Sequence, residues 1–169
     1  MTTLIATLAH WLAPWQSAYS GSKVLETAVT AVHLIALLFG GGLAVAADRA
    51  MLRALGAGPA ARDTALQAIQ ATHRPVVIAL AVSFLSGLAL ASADVNTFAN
   101  SPVFLIKLTL VALLCSNGLF LLVTERALQL HGTADAGTPL WRRLRVATWL
   151  SITLWTSVVV AGTTLVNAA

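Results

Sequence analysis

Thiols and charges are what this chain has least of. Its one cysteine, Cys115, sits inside an apolar run, which excludes an intramolecular disulfide and a metal centre of several thiolates. Methionine occurs only at Met1 and Met51, so there is no methionine-rich path for soft copper ions. Charged residues make up 9% of the chain, far below the level of about a quarter usual in soluble domains. No phosphate-cradling glycine loop, zinc-ligand spacing or nucleophile elbow is present. Three consecutive glycines at 40–42 lie within an apolar stretch with no strand ahead of it, which argues against a phosphate loop.

What fills the space is apolar. Hydrophobic residues account for 58% of the 169 positions, and the mean hydropathy is +0.84. This is the composition of an integral membrane protein, and the length suits one compact domain, 1–169. Four runs, near 26–48, 75–93, 102–123 and 146–166, are long enough to cross ~30 Å of hydrocarbon at ~1.5 Å per residue. The expected fold is an all-α, integral membrane four-helix bundle. Pro75 and Pro102 fall where proline is tolerated, in the first turns of their helices. Residues 49–72 read as an amphipathic, Ala-rich connection, helical near the surface, residues 94–102 as a short turn, and residues 127–140 as a flexible loop containing Gly132, Gly137 and Pro139.

Residues 3–17 differ from the spans. Leu4, Ile5, Leu8, Trp11, Leu12 and Trp15 recur at helical spacing, and Thr3, Thr7, His10 and Ser17 share the other face. The run is too short to span and lacks the basic start of a secretory signal. It reads as an N-terminal interfacial amphipathic helix with its tryptophans at headgroup level.

The pI near 10.2 reflects topology rather than nucleic-acid binding. Arg49, Arg53, Arg62, Arg74, Arg126, Arg142, Arg143 and Arg145 all fall on the side reached after the first and third spans. The other side has Lys23, with Lys107 just inside the membrane. The positive-inside rule then places the longer loops in the cytoplasm and both termini in the periplasm of a bacterial inner membrane.

Polar groups inside a span are costly, so each needs a partner or a purpose. His33 lies ~10 Å below the outer boundary of the first span, and Lys107 at a similar depth in the third. Ser86 and Gly87 in the second span, and Thr156 and Ser157 in the fourth, fall near the same level. His33 has three readings: a hydrogen bond to a neighbouring helix, a proton relay, or a ligand to a metal or heme iron. Lys107 either snorkels outward, pairs with Glu26 or Asp94, or serves as a neutral amine that ligates iron or handles protons. Gly40 is seven residues from His33, and Ser83, Gly87 and Ala91 form a small-residue stripe on the second span. Close helix packing is one reading of these glycines; a slot for a flat macrocycle is the other. His73 and His131 share the cytoplasmic side as a second-site pair, and His10 could cap the outer site.

The stretches AVHLIALLFGGGLAVAADRAMLR, LAVSFLSGLALASADVNTFANSPVFLIKLTLVALLCSNGLFLL and LSITLWTSVVVAG resemble a family of small bacterial four-helix membrane proteins without a settled function. That family is distantly similar to the membrane domain of CopD copper-resistance proteins and to HemJ-type protoporphyrinogen oxidases. The resemblance covers roughly residues 20–165. It rests on the first-span His, a small-residue second span ending in an acidic turn, and a Pro-x-x-x-x-Lys-Leu opening of the third. HemJ-type proteins bind b-type heme, and the resemblance carries that role to His33 and Lys107. The chain departs from them in the aromatic and basic pattern after the first-span His, so heme ligation carries over more directly than porphyrinogen oxidation.

The leading expectation is a heme b-binding membrane redox or electron-transfer protein, a membrane oxidoreductase if it turns over a substrate. His33 would be the axial ligand, Lys107 a second ligand or propionate partner, and Gly40 and Gly87 would line the cofactor. A quinol or a periplasmic carrier would exchange electrons with it. Two further expectations stand beside this one: transport of copper or another metal across the membrane, and a non-catalytic subunit of a homo-oligomer or larger membrane complex.

Overall fold

In the computed structural model, which describes residues 2–131 and 139–168, every long apolar run is a helix and no strand is present among the described residues. Helix α1 covers Thr2–Gly21, α2 Lys23–Ala54, α3 Pro59–Ala93, α4 Val95–Ala99, α5 Pro102–His131 and α6 Pro139–Ala168. Four of them, α2, α3, α5 and α6, are long and apolar enough to cross a membrane. The expected all-α four-span bundle is what forms.

The helices are longer than the apolar runs, and this corrects three readings. The connection at 49–72 is largely helical, as expected, but its helices are continuations of the spans rather than a separate surface segment. Helix α2 runs on to Ala54 and α3 starts at Pro59, leaving a turn of four residues. Gly58 makes that turn, with φ at 111° and ψ at 173°, a backbone region almost restricted to glycine. Pro59 follows as a helix starter, where its missing N–H costs nothing. Second, Pro75 therefore lies inside α3 rather than in its first turn. It forgoes one backbone bond, which membrane helices tolerate when neighbours support them. Third, residues 94–102 form more than a turn: the Asp94 carboxylate accepts from the Thr97 N–H at 3.2 Å and caps the short α4. Pro102 does open α5 as expected. Of the 127–140 loop, α5 claims residues up to His131 and α6 begins at Pro139. Gly132 and Gly137, with the rest of 132–138, lie outside the described residues.

Helix α2 packs on α3, α5 packs on α6, and α2 meets α6. Between α3 and α5 no comparable contact exists, and a cleft opens there instead. Outward-facing side chains such as Ile35, Leu38, Val77, Leu119 and Val123 are largely exposed, as lipid-facing residues should be. At the end that carries the α2–α3 turn, Met51, Leu66, Leu128, Trp141 and Leu144 form the main core. A second core of Leu114, Leu154, Trp155 and Val158 sits midway along the bundle.

Helix α1 lies against the opposite end. The Trp15 indole N–H donates to the Ala89 carbonyl at 3.1 Å, and the Gln16 amide donates to Ser92 O at 3.2 Å. Trp11 and Leu8 stay exposed, so the apolar side of α1 is free to lie in lipid. His10 is exposed and lines neither the cavity beside His33 nor the cleft next to it.

The glycine run divides three ways. A Cβ on Gly40 would lie 2.9 Å from the Ala79 Cβ, so this residue lets α2 and α3 approach closely. One on Gly41 would lie 2.9 Å from Cε3 of Trp155, whose indole rests flat against α2 there. A Cβ on Gly42 would meet nothing within 4 Å. Packing accounts for the first two, and neither lines the cavity beside His33.

Candidate functional site

His33 is buried on α2, with its ring directed at α3. Its Nδ1 lies 2.8 Å from the Ser83 carbonyl, an acceptor only, so Nδ1 carries the proton and donates. The Ser86 hydroxyl, 3.1 Å from Nδ1, spends its own proton on the Val82 carbonyl at 2.7 Å and receives a share of the imidazole N–H. The sequence builds this seat directly. Ser83 and Ser86 stand one turn apart on the face of α3 that meets α2, and Gly87 beside them has no side chain. A Cβ on Gly87 would come within 3.1 Å of the His33 Cε1. Gly87 is therefore the small residue that lets the imidazole reach its acceptor.

The consequence is chemical. With Nδ1 protonated, Nε2 holds the lone pair, and it has no hydrogen-bond partner among the described residues. Ligating histidines are oriented in just this way, by giving the other ring N–H to a backbone carbonyl. His33 borders a cavity of about 90 Å³, which also takes in Gly87, Phe84, Lys107, Val111 and Trp155. Lys107, on α5, faces the same space and has its Nζ against Gly162 of α6. It forms no ion pair among the described residues. Glu26, one expected partner, pairs with Lys23 at 2.7 Å, and Asp94 caps α4.

So the structure brings His33, Ser83, Ser86, Gly87 and Lys107 together. It leaves Thr156 and Ser157 out: Thr156 is exposed, bonds the Ile152 carbonyl, and lines a groove on another face between α5 and α6. Helix α6 instead contributes Trp155, Val158 and the open face of Gly162.

The 90 Å³ beside His33 holds a few waters at ~10–15 Å³ each, and no macrocycle. It adjoins the larger cleft between α3 and α5, of about 470 Å³, and the two share Leu80, Phe84, Val111, Leu114 and Trp155 as walls. Together they reach the ~300–1,000 Å³ range of sites for sizeable organic ligands. Cys115, Leu119 and Leu122 form part of the wall on α5, and Val77 and Ala81 the facing part of α3, so the cleft opens sideways toward lipid.

The cleft ends in polar residues that sequence reasoning missed. Asp48 on α2 and Ser151 on α6 line the cleft together with His73 and Thr72 of α3. Glu125 on α5 lies behind Asp48, within electrostatic reach, with its Oε2 3.7 Å from the His73 Nε2. Asp48 and Glu125 are each only 3% exposed, and Asp48 Oδ2 and Glu125 Oε1 have no hydrogen-bond partner. His73 thus belongs to a second polar group, with two carboxylates; the side chain of its expected partner His131 lies outside the described residues. The His73 Nδ1 donates to the Ile69 carbonyl at 2.9 Å. A signal was available for Glu125: it follows Lys107 by eighteen residues, five helical turns, which puts both on one face of α5.

Nearby, Arg62 donates to the Leu55 carbonyl at the end of α2 and lies over the Trp141 ring, 5.6 Å from its centroid. Asn117 donates to Ala147 O at 3.0 Å and ties α5 to α6. Among the described residues no three His, Cys, Asp or Glu side chains gather in a way that would hold a metal ion. Comparison with protein-family models, with curated proteins and with solved structures finds no match to this chain.

Proposed function

We propose that this chain is a heme b-binding redox protein of a bacterial inner membrane, with both termini in the periplasm. The observation that carries the reading is His33: its Nδ1–H is fixed on the Ser83 carbonyl, and its Nε2 is free beside a cavity that Lys107 also borders. An imidazole with that tautomer would hold heme iron through Nε2. The two adjoining cavities supply apolar walls and lateral access from lipid, as an amphiphilic macrocycle requires. Orientation rests on the arginines, which cluster at the α2–α3 turn and at the facing ends of α5 and α6.

Heme, when bound, supplies one-electron chemistry, with a potential set by its ligands and by burial. The protein's own residues do the rest. Ser83 holds the imidazole orientation, and Ser86 supports it. Phe84, Trp155 and the surrounding leucines exclude water. Lys107 offers a nitrogen ligand when neutral, or a propionate partner as an ammonium. A quinol in the bilayer or a periplasmic carrier would be the electron partner, reached without crossing the charged cytoplasmic end.

The test is a pyridine hemochrome assay on protein purified from heme-sufficient cells. Near-stoichiometric heme in the wild type and its loss in His33→Ala, with helicity and elution unchanged, is the expected result. Substoichiometric heme that His33→Ala leaves unaffected sinks the reading. A colourless preparation with His33-dependent copper would turn it toward metal transport, and a colourless one co-purifying with a partner toward an accessory subunit.

A further inference from the structure

The end of the bundle that carries the α2–α3 turn is strongly basic on its outside. Six arginines of α2, α5 and α6 are exposed there: Arg49, Arg53, Arg126, Arg142, Arg143 and Arg145. Asp48 and Glu125, the acids of the same helices at this end, are buried. None of the six arginines forms an ion pair among the described residues. A guanidinium at a bilayer surface, without a counter-charge from the protein, pairs with what that surface offers, and a phosphate group fits its planar fork.

The helix faces say where a headgroup would be held. On α6, Arg142, Arg145 and Trp149 follow at intervals of three and four residues, so they stack on one side of the helix. All three are exposed, Trp149 by 58%, and exposed Val146 lies beside them. The indole of Trp149 sits ~6 Å further along the helix than Arg145, at ~1.5 Å per residue. An indole at that depth bridges headgroup and chain. Trp141, by contrast, is buried in the core of this end. Arg49 and Arg53 on α2 carry the same charge, but the next exposed residues along that face are Ala46 and Gly42, which give a lipid chain no ring to rest on. We propose that the outward face of α6 at this end binds an anionic phospholipid, with its phosphate on Arg142 and Arg145 and its glycerol and upper chains against Trp149 and Val146. This needs only that the helices span a bilayer, so it stands or falls apart from the His33 site.

Tryptophan fluorescence of the full chain in phosphatidylcholine vesicles tests it, with a minor fraction of lipid brominated near the glycerol end of its chains. Bromine quenches only rings in close contact. In the wild type, brominated phosphatidylglycerol should quench more than the same fraction of brominated phosphatidylcholine. The excess should disappear in Trp149→Phe, which removes the reporting ring. An arginine at the surface strengthens anionic lipid binding about fivefold, so the double variant Arg142→Gln/Arg145→Gln should weaken the preference at least tenfold. The double variant Arg49→Gln/Arg53→Gln removes as much charge and should keep the preference within about twofold of the wild type. Circular dichroism of each variant should match the wild type. Equal quenching by the two lipids in the wild type would overturn the proposal without recourse to any variant. An excess that survives in Trp149→Phe, or one lost equally in both double variants, would overturn it as well, since the lipid would then lie elsewhere or answer only to total charge.

Discussion

Replacing each glycine of the 40–42 run by alanine, one at a time, should separate three effects within a single helix turn. In Gly42→Ala the new methyl meets nothing within 4 Å. Only the helix propensity changes, and it favours alanine by up to ~1 kcal/mol. In Gly40→Ala the methyl would sit 2.9 Å from Ala79 Cβ. Both atoms are fixed to backbone, so α2 and α3 must separate, and overpacking of this kind costs roughly 1–3 kcal/mol. Gly41→Ala meets the Trp155 ring at 2.9 Å, and that buried ring must shift toward the cavities it borders. After the propensity gain, Gly40→Ala and Gly41→Ala should each lose on the order of 1–2 kcal/mol, while Gly42→Ala holds or gains slightly. Reversible unfolding in mixed micelles, followed by circular dichroism, reads the differences directly. If Gly40→Ala proved as stable as Gly42→Ala, the close α2–α3 contact described here would be wrong.

Other substitutions follow from the same geometry. Gly87→Ala should crowd the His33 ring at 3.1 Å and lower heme occupancy several-fold in the hemochrome assay, while Gly118→Ala, with nothing within 4 Å, leaves it unchanged. Gly58→Ala should destabilise by ~1–3 kcal/mol in chemical unfolding, because its φ of 111° and ψ of 173° suit glycine almost alone. Asn117→Leu loses one interhelical hydrogen bond within the membrane, and the same measurement should show a loss of only ~0.6–2 kcal/mol. In a Cys115→Ser background, a membrane-impermeant maleimide should label Ser20→Cys from outside intact spheroplasts and Ala57→Cys only after lysis, since both positions are exposed at opposite ends of the bundle.

The bundle was legible because lipid imposes a simple code: apolar runs of sufficient length must be helices. His33 and Lys107 could be matched by depth alone, and they do border one cavity. Depth without rotation misled for Thr156 and Ser157, which share the level but face away. The helicity of 49–72 was legible, but its continuity with the spans was not, because the aqueous ends of long helices carry the same polar residues as a separate surface helix. Asp48 and Glu125 escaped notice for a related reason. Each is followed by an arginine, Arg49 and Arg126, so each read as part of a charged boundary. Only the rotation of α2 and α5 turns the acids inward and the arginines out. The glycine run was ambiguous in sequence since packing and a cofactor slot both demand small residues; the neighbour of each Cβ decides between them.

The sparse packing between α3 and α5 has a consequence for how the protein is made. Helices α2 and α3 form one tight hairpin, and α5 and α6 form another. Each can enter the bilayer as a finished unit during synthesis, and the α2–α6 seam is the principal surface along which the two must later find each other. Assembly is then a docking of two hairpins in the plane of the membrane. Defects along that seam should leave both hairpins inserted, helical and apart.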